Sequence, residues 1–407
     1  MPRPNSQRFQ KIILIFLFAL SVIGIAFALY FMFFRVPPSQ EKVVESDSPQ
    51  SQTDLPISKE GVPPSVTETK PSTLPQADAI AKGSVTQTEN LLLAPVEAAE
   101  LRQDKMHYYD ERDGKFYTID KNGVIKELSK REFTDAQNII WNKDGDKVVV
   151  EFPDGSNIVY DFTSGKQVTL PKHWEDFHFS PTSNELIAKS MPLDPNGRAL
   201  VVSNADGSNV RAVQALGENA DKVLINPSPQ GQVIAFSDTA NESYGLGRSM
   251  LIPLGKNQEN FKGLVIEGFG FEPLWSTRGD YLIYSVSGES SQNLPLLWIV
   301  NGSVKNMGDG RQNLGLNTWA HKCTFTDISE LYCAVPSSLP PYAGMQPDIA
   351  KGIPDVVYKI DLTTRQSILI GTTDTKASMT NLHISSDKQI LYFTNENTGL
   401  IQSMRLK

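Results

Sequence analysis

From Ser84 onward, apolar and polar residues alternate in short runs, and each run stops at Gly, Asp, Asn or Pro. A period of two turns one face of the segment to a core and the other to solvent, which predicts β-strands. No long stretch repeats with a helical period. The runs themselves recur as a unit of strand, tight turn and second apolar strand. It stands as Ile140-Trp141-Asn142-Lys143-Asp144-Gly145 before Val148-Val149-Val150, and again as Pro227-Ser228-Pro229-Gln230-Gly231 before Val233-Ile234-Ala235-Phe236. Later copies are Trp275-Ser276-Thr277-Arg278-Gly279 before Tyr281, and Ile384-Ser385-Ser386-Asp387 before Ile390. Two further strands follow most copies, for example Leu200–Ser203 and Asn209–Val213, joined through Asp206-Gly207, a turn sequence. Four antiparallel strands per repeat match propeller blades.

The count of repeats predicts seven blades, the first opening near Pro95 and the last near Leu382, with six or eight left open by the irregular first repeat. The last supplies three strands before Lys407. An open ring would leave a bare sheet edge, so a segment within Ser84–Leu93 is expected to add the missing strand.

The Trp/Phe-Ser-Pro-x-Gly turn before an apolar strand, seen at Phe179-Ser180-Pro181 and Trp275–Gly279, resembles the WD-like repeat of TolB-type propellers. The resemblance runs over about 110–407. It implies an all-β seven-bladed propeller of four-stranded antiparallel blades and says little of function.

The N-terminal part has a different texture. Ile12–Phe34 carries no charge, and such a run is long enough as a helix to cross a hydrocarbon core of roughly 30 Å. Arg3, Arg8 and Lys11 precede it, which places that end in the cytoplasm under the positive-inside rule. The run exceeds a signal-peptide core, and Phe34-Arg35-Val36-Pro37 makes a poor cleavage site. Residues 35–83 are rich in Pro, Ser, Thr, Gln and Glu, with no aromatic between Phe34 and Tyr108, and are expected to stay disordered. The organisation expected is a cytoplasmic stub (1–11), a transmembrane helix (12–34), a linker (35–83) and an extracytoplasmic propeller (84–407) on a single-pass cell-membrane protein.

Charge narrows the partners. The net charge is −8 and no basic stripe follows the first few dozen residues, which argues against nucleic acid. Gly245-Leu246-Gly247 and Gly268-Phe269-Gly270 lack the third glycine and helix of a dinucleotide fingerprint, and no Gly-x-Ser-x-Gly elbow or His-Glu-x-x-His occurs. No catalytic residue, cofactor or metal site is assigned. The two cysteines, Cys323 and Cys333, flank a hairpin centred near Ile328 and fall opposite each other. That register favours a disulfide in an oxidising compartment, over the alternative of two buried thiols packed as small apolar residues.

Loop length points to a face. Connections between second and third strands are long at Ser190–Gly197, Asp238–Gly247, Ser287–Leu294 and above all Pro336–Pro354. The linker Gly308–Lys322 is long too, and in a propeller these connections share one face. Candidate contacts there are His173, Trp174, Tyr244, Arg248, Trp319, His321, Lys322, Tyr342 and Asp348. Trp174 and Trp319 fit equally well as plugs between blades. The expected function is a membrane-anchored binding or scaffolding module for a protein or envelope polymer. The alternative is a carbohydrate-active enzyme with dispersed carboxylates in the funnel.

Overall fold

The computed structural model describes residues 20–25 and 77–407, apart from 241–244 and 246. The chain divides into two units, Met1–Pro71 and Ser72–Lys407. In the first, residues 20–25 are helical and exposed; the rest of the expected 12–34 span lies outside the described residues. Among those described, no helix is long and apolar enough to cross a membrane.

The second unit is built from seven sheets, each holding four consecutive strands or three plus one from the start of the unit. Their first strands are Glu97–Arg102, Asn138–Trp141, Trp174–Phe179, Val223–Ile225, Phe269–Trp275, Cys323–Phe325 and Met379–Ile384. These inner strands follow one another round a ring, and the strand of blade 7 lies beside that of blade 1. Each interface between consecutive blades holds its own apolar cluster. The core is therefore a circle of seven packed sheets.

Thr88–Asn90 closes that circle. It pairs antiparallel with Leu400–Arg405, matching Thr88 to Met404, and completes blade 7 as its three-strand last repeat predicted. Val85–Thr86 adds a fifth, parallel strand to blade 6 beside Thr372–Thr373, which the pattern did not announce. The segment before it, assigned to the linker on composition, is bonded to the blades through backbone groups, to which composition is blind. Ala81 N–H donates to Arg405 O at 2.9 Å and Gly83 N–H to Ile370 O at 2.8 Å.

The recurring turn has a physical cause. At its first position a short polar side chain accepts from the backbone N–H five residues on: Asn142 from Lys147, Ser228 from Val233, Ser276 from Tyr281 and Ser385 from Ile390. Three residues after it stands a left-handed residue, Gly145, Gly231, Gly279 or Lys388. Trp141 and Trp275 just before it donate their indole N–H to Ala98 O and Asn226 O of the preceding blade. The repeat thus fixes a turn and staples two blades together.

Blades 1, 3, 5 and 7 share one further device. Each inner strand carries one extra residue against its neighbour. Ala98, Asp176, Gly270 and Asn381 stand there with φ of 48°, 58°, 69° and 52°. Pairing resumes at Glu100, His178, Glu272 and His383. Acid and imidazole therefore alternate at equivalent places on the inner wall.

Candidate functional site

The long linker before blade 6 is less loose than its length suggests. Gln312–Asn313 forms the outer strand of blade 5, and Ala320–Lys322 forms a short 3-10 turn. That turn is tied to blade 5, since Ala320 N–H donates to Ser285 Oγ at 3.1 Å and His321 N–H to Glu272 Oε1 at 2.6 Å. His321 Nδ1 lies 2.7 Å from the same Glu272 oxygen. It is tied to blade 6 as well, through Thr318 Oγ1 donating to Ala334 O at 2.6 Å.

Lys322 carries the connection on to blade 7. Its Nζ lies 2.8 Å from Asp355 Oδ2, and that oxygen also accepts Met379 N–H at 2.6 Å. Burial pushes the Asp355 carboxyl above the usual carboxylate range, while Lys322 and the Met379 N–H pull it back. Cys323, the next residue, sits directly opposite Cys333, and their sulfurs are bonded at 2.10 Å. The turn is thus clamped on every side.

Over it lies the 337–354 loop, whose ends meet where Ser337 N–H donates to Pro354 O at 2.8 Å. Its underside, Ala343 and Ala350, packs on Trp319, which is itself buried. Gly344 passes so close to blade 5 that an added Cβ would strike Ser287 Oγ at 1.9 Å. Its upper side faces solvent with Tyr342, Met345 and Ile349 at 56 %, 54 % and 43 % exposure. Tyr342 has φ of 66°, a left-handed conformation that disfavours a bulky side chain. A cavity of about 180 Å³ opens beside the loop, walled by Trp319, His321, Lys322, Lys351, Thr380 and Glu396.

Of the candidate contacts, the structure gathers Trp319, His321, Lys322, Tyr342 and Asp348 in this one region. Asp348 is exposed and paired with Lys351 at 2.7 Å. Trp319 and Lys322 support the loop from below. The others lie apart. Trp174 is buried in the core between blades 2 and 3, with exposed His173 beside it. Arg248 pairs with Glu267 at 3.0 Å, near a cleft between blades 4 and 5. Tyr244 lies outside the described residues.

Sequence reasoning missed Glu272, in blade 5, and Asp355, in the third strand of blade 6, which are remote in sequence from Ala320–Lys322 and leave no local spacing. It also missed Met345 and Ile349, although apolar residues inside a polar loop were a usable signal. On the inner wall it missed a group around Asp176, whose Oδ2 takes Lys189 Nζ at 2.9 Å and whose Oδ1 lies 3.2 Å from His178 Nε2. Burial opposes ionisation of Asp176, but these bonds outweigh it and hold the carboxyl below its usual range. Glu151 nearby goes the other way: burial and the charges of Asp176 and Glu175 raise it, with one hydrogen bond from Asn138 opposing. Among the described residues no group of three or more His, Cys, Asp or Glu could hold a metal ion.

No protein-family model matches the sequence, and no curated protein matches it. Solved structures do. One is the tricorn protease, at a TM-score of 0.51 and 10% identity over 77% of this chain. The match spans 33% of that protease's length. Another is an oligogalacturonate lyase in complex with manganese, at 0.50 and 12% identity over 82% of this chain and 95% of that one. The shared feature is the fold. The unit is a seven-bladed β-propeller. Both of these neighbours are named as enzymes, so a propeller of this build sets no bar to catalysis.

Proposed function

We propose that this propeller is a binding module that docks a protein partner on the upper side of the 337–354 loop, held outside the cytoplasm by the charge-free 12–34 segment. The observation that carries the reading is the contrast between the two sides of the loop. Underneath, it is fastened by Trp319, by Gly344 against blade 5 and by its closed base. On top, the same rigid loop spends Tyr342, Met345 and Ile349 on solvent, with Tyr342 in a costly backbone conformation. Apolar side chains held out on a fixed frame are what a protein interface uses as anchors, and stored strain concentrates at such places. The Cys323–Cys333 bridge agrees with an oxidising compartment, and the TolB-like turns agree with an envelope propeller.

The test is a photo-crosslinking residue placed at 345 in the cell, with position 210 on another blade as control. A discrete adduct from 345 alone, abolished by Tyr342→Ser with Ile349→Ser, is expected. Equal adducts from both positions would end the reading.

The inner wall supports a second reading, the carbohydrate-active enzyme. Glu151 and Asp176 are pushed in opposite directions by their surroundings, the arrangement that separates a general acid from a general base. Turnover of a glycan by the purified protein, lost in Glu151→Gln, would favour it; absence of turnover across neutral and acidic glycans would remove it.

A further inference from the structure

A hollow of about 480 Å³ lies on the flank between blades 3 and 4, away from the 337–354 loop. Its volume falls in the range of small-molecule sites. Its polar lining is built from amides and hydroxyls: Gln214, Asn219, Ser237, Thr239, Gln258 and Asn260. No Lys, Arg or His lines it. The single acid, Glu259, is already occupied. Its Oε2 accepts Asn257 N–H at 2.7 Å and its Oε1 accepts Asn257 Nδ2 at 3.0 Å.

The amides are at most partly occupied by the protein. Gln214 uses Nε2 on Ala215 O at 3.2 Å, which leaves its oxygen. Among the described residues the side chains of Asn219, Gln258 and Asn260 take no hydrogen bond from the protein and give none. Each amide offers two donors and an acceptor with two lone pairs. Ser237 and Thr239 bond each other at 2.8 Å and keep acceptor capacity. Phe261 and the aliphatic chains of Ile252 and Leu254 supply apolar wall beside them.

We infer that this hollow is a binding site for a neutral saccharide. A hydroxyl both donates and accepts, as a carboxamide does, and a row of ring hydroxyls matches a row of amides with free donors and acceptors, without any net charge. The C–H face of a sugar ring suits the wall of Phe261 and the aliphatic chains, as amphipathic ligands suit aromatic surface generally. An anion finds no cation here, and a cation finds a carboxylate already spent. The site is independent of the protein-docking loop.

The experiment is saturation-transfer NMR on the purified full-length chain with cellobiose, maltose and diacetylchitobiose, beside digalacturonate and the neutral peptide acetyl-Ala-Ser-Ala-amide. At least one neutral disaccharide is expected to respond with a millimolar Kd. Binding should weaken tenfold or more in the triple variant Asn219→Ala, Gln258→Ala, Asn260→Ala, whose sites are exposed, and equally in Gln258→Arg, which fills the hollow instead of emptying it. Tyr342→Ser with Ile349→Ser should leave it unchanged, which separates this site from the docking loop. Silence from all three neutral sugars, an unaltered signal in both amide variants, or a peptide response with the same dependence would overturn the assignment.

Discussion

Lys322 and Asp355 form an ion pair at 2.8 Å with side chains 5% and 0% exposed, at the meeting of blades 6 and 7. Asp355 Oδ1 has no hydrogen-bond partner among the described residues. Taking away the ammonium would leave a buried carboxylate with only the Met379 N–H. Lys322→Met should therefore cost about 3–5 kcal/mol of stability. The double change Lys322→Met, Asp355→Leu should recover most of it. Urea unfolding of the three proteins decides the matter, and a double variant as weak as the single one would contradict it.

Two histidines give the fold an acid limb. Burial, above all other influences, lowers the pKa of His107 and of His383 from 6.5. In this window the unfolded chain takes up protons that the fold resists, so stability falls as pH drops below about 6.5. Urea midpoints at pH 7, 6 and 5 should decline for the native chain. The decline should be shallower in His383→Gln and shallower still with His107→Gln added.

Ring closure rests on few bonds. Leu91 N–H donates to Ile401 O at 2.8 Å in line with the Thr88–Asn90 pairing. Leu91→Pro removes that donor and should lower the melting temperature by several degrees. A chain starting at Ala94 should do worse, because Leu400–Arg405 then becomes a bare edge, and light scattering should show it aggregating.

Tyr342 sits where glycine would be at ease, with φ of 66°. Tyr342→Gly should stabilise the fold by about 1 kcal/mol by removing the left-handed penalty. The same change should weaken partner capture, the trade expected where strain serves a site. Thermal melting and crosslinking from position 345 read the two effects separately. Loss of stability would mean that the ring is packed rather than offered.

The Cys323–Cys333 bridge closes a short loop, with a sequence separation of 10. Replacing both by Ser should cost about 2–3 kcal/mol on the loop-entropy estimate, and a reducing agent should lower the native midpoint without touching that variant.

The architecture was legible because it is written locally. Alternation marks strands, and a polar side chain followed by a left-handed residue marks the turn of each blade, so Asn142 with Gly145 or Ser276 with Gly279 announced their positions. Even the closing strand followed from arithmetic on an incomplete last blade. The functional geometry was written across the ring instead. Asp355 meets Lys322 only because the third strand of blade 6 returns beside the start of its first, and Glu272 meets His321 only because blade 5 lies next to blade 6. The inner-wall bulges were hidden for another reason: Ala98, Asp176 and Asn381 adopt positive φ without being glycine, so only Gly270 left a trace in composition. Loop length pointed to a face, but it gave no sign that Trp319 and Lys322 are buried, since a long linker folded back on itself buries what a loose one would expose.

The clasp at Thr88–Asn90 also has a mechanical meaning. Any pull on the chain ahead of residue 77 first meets Asp78, Ala81 and Gly83, whose backbone bonds are divided between the fifth strand and blades 6 and 7. Only behind them does it reach the strand that shuts the ring. Tension at the N-terminal end is thus shared out before it loads the latch, and the ring can be tugged from that end without being unzipped there first.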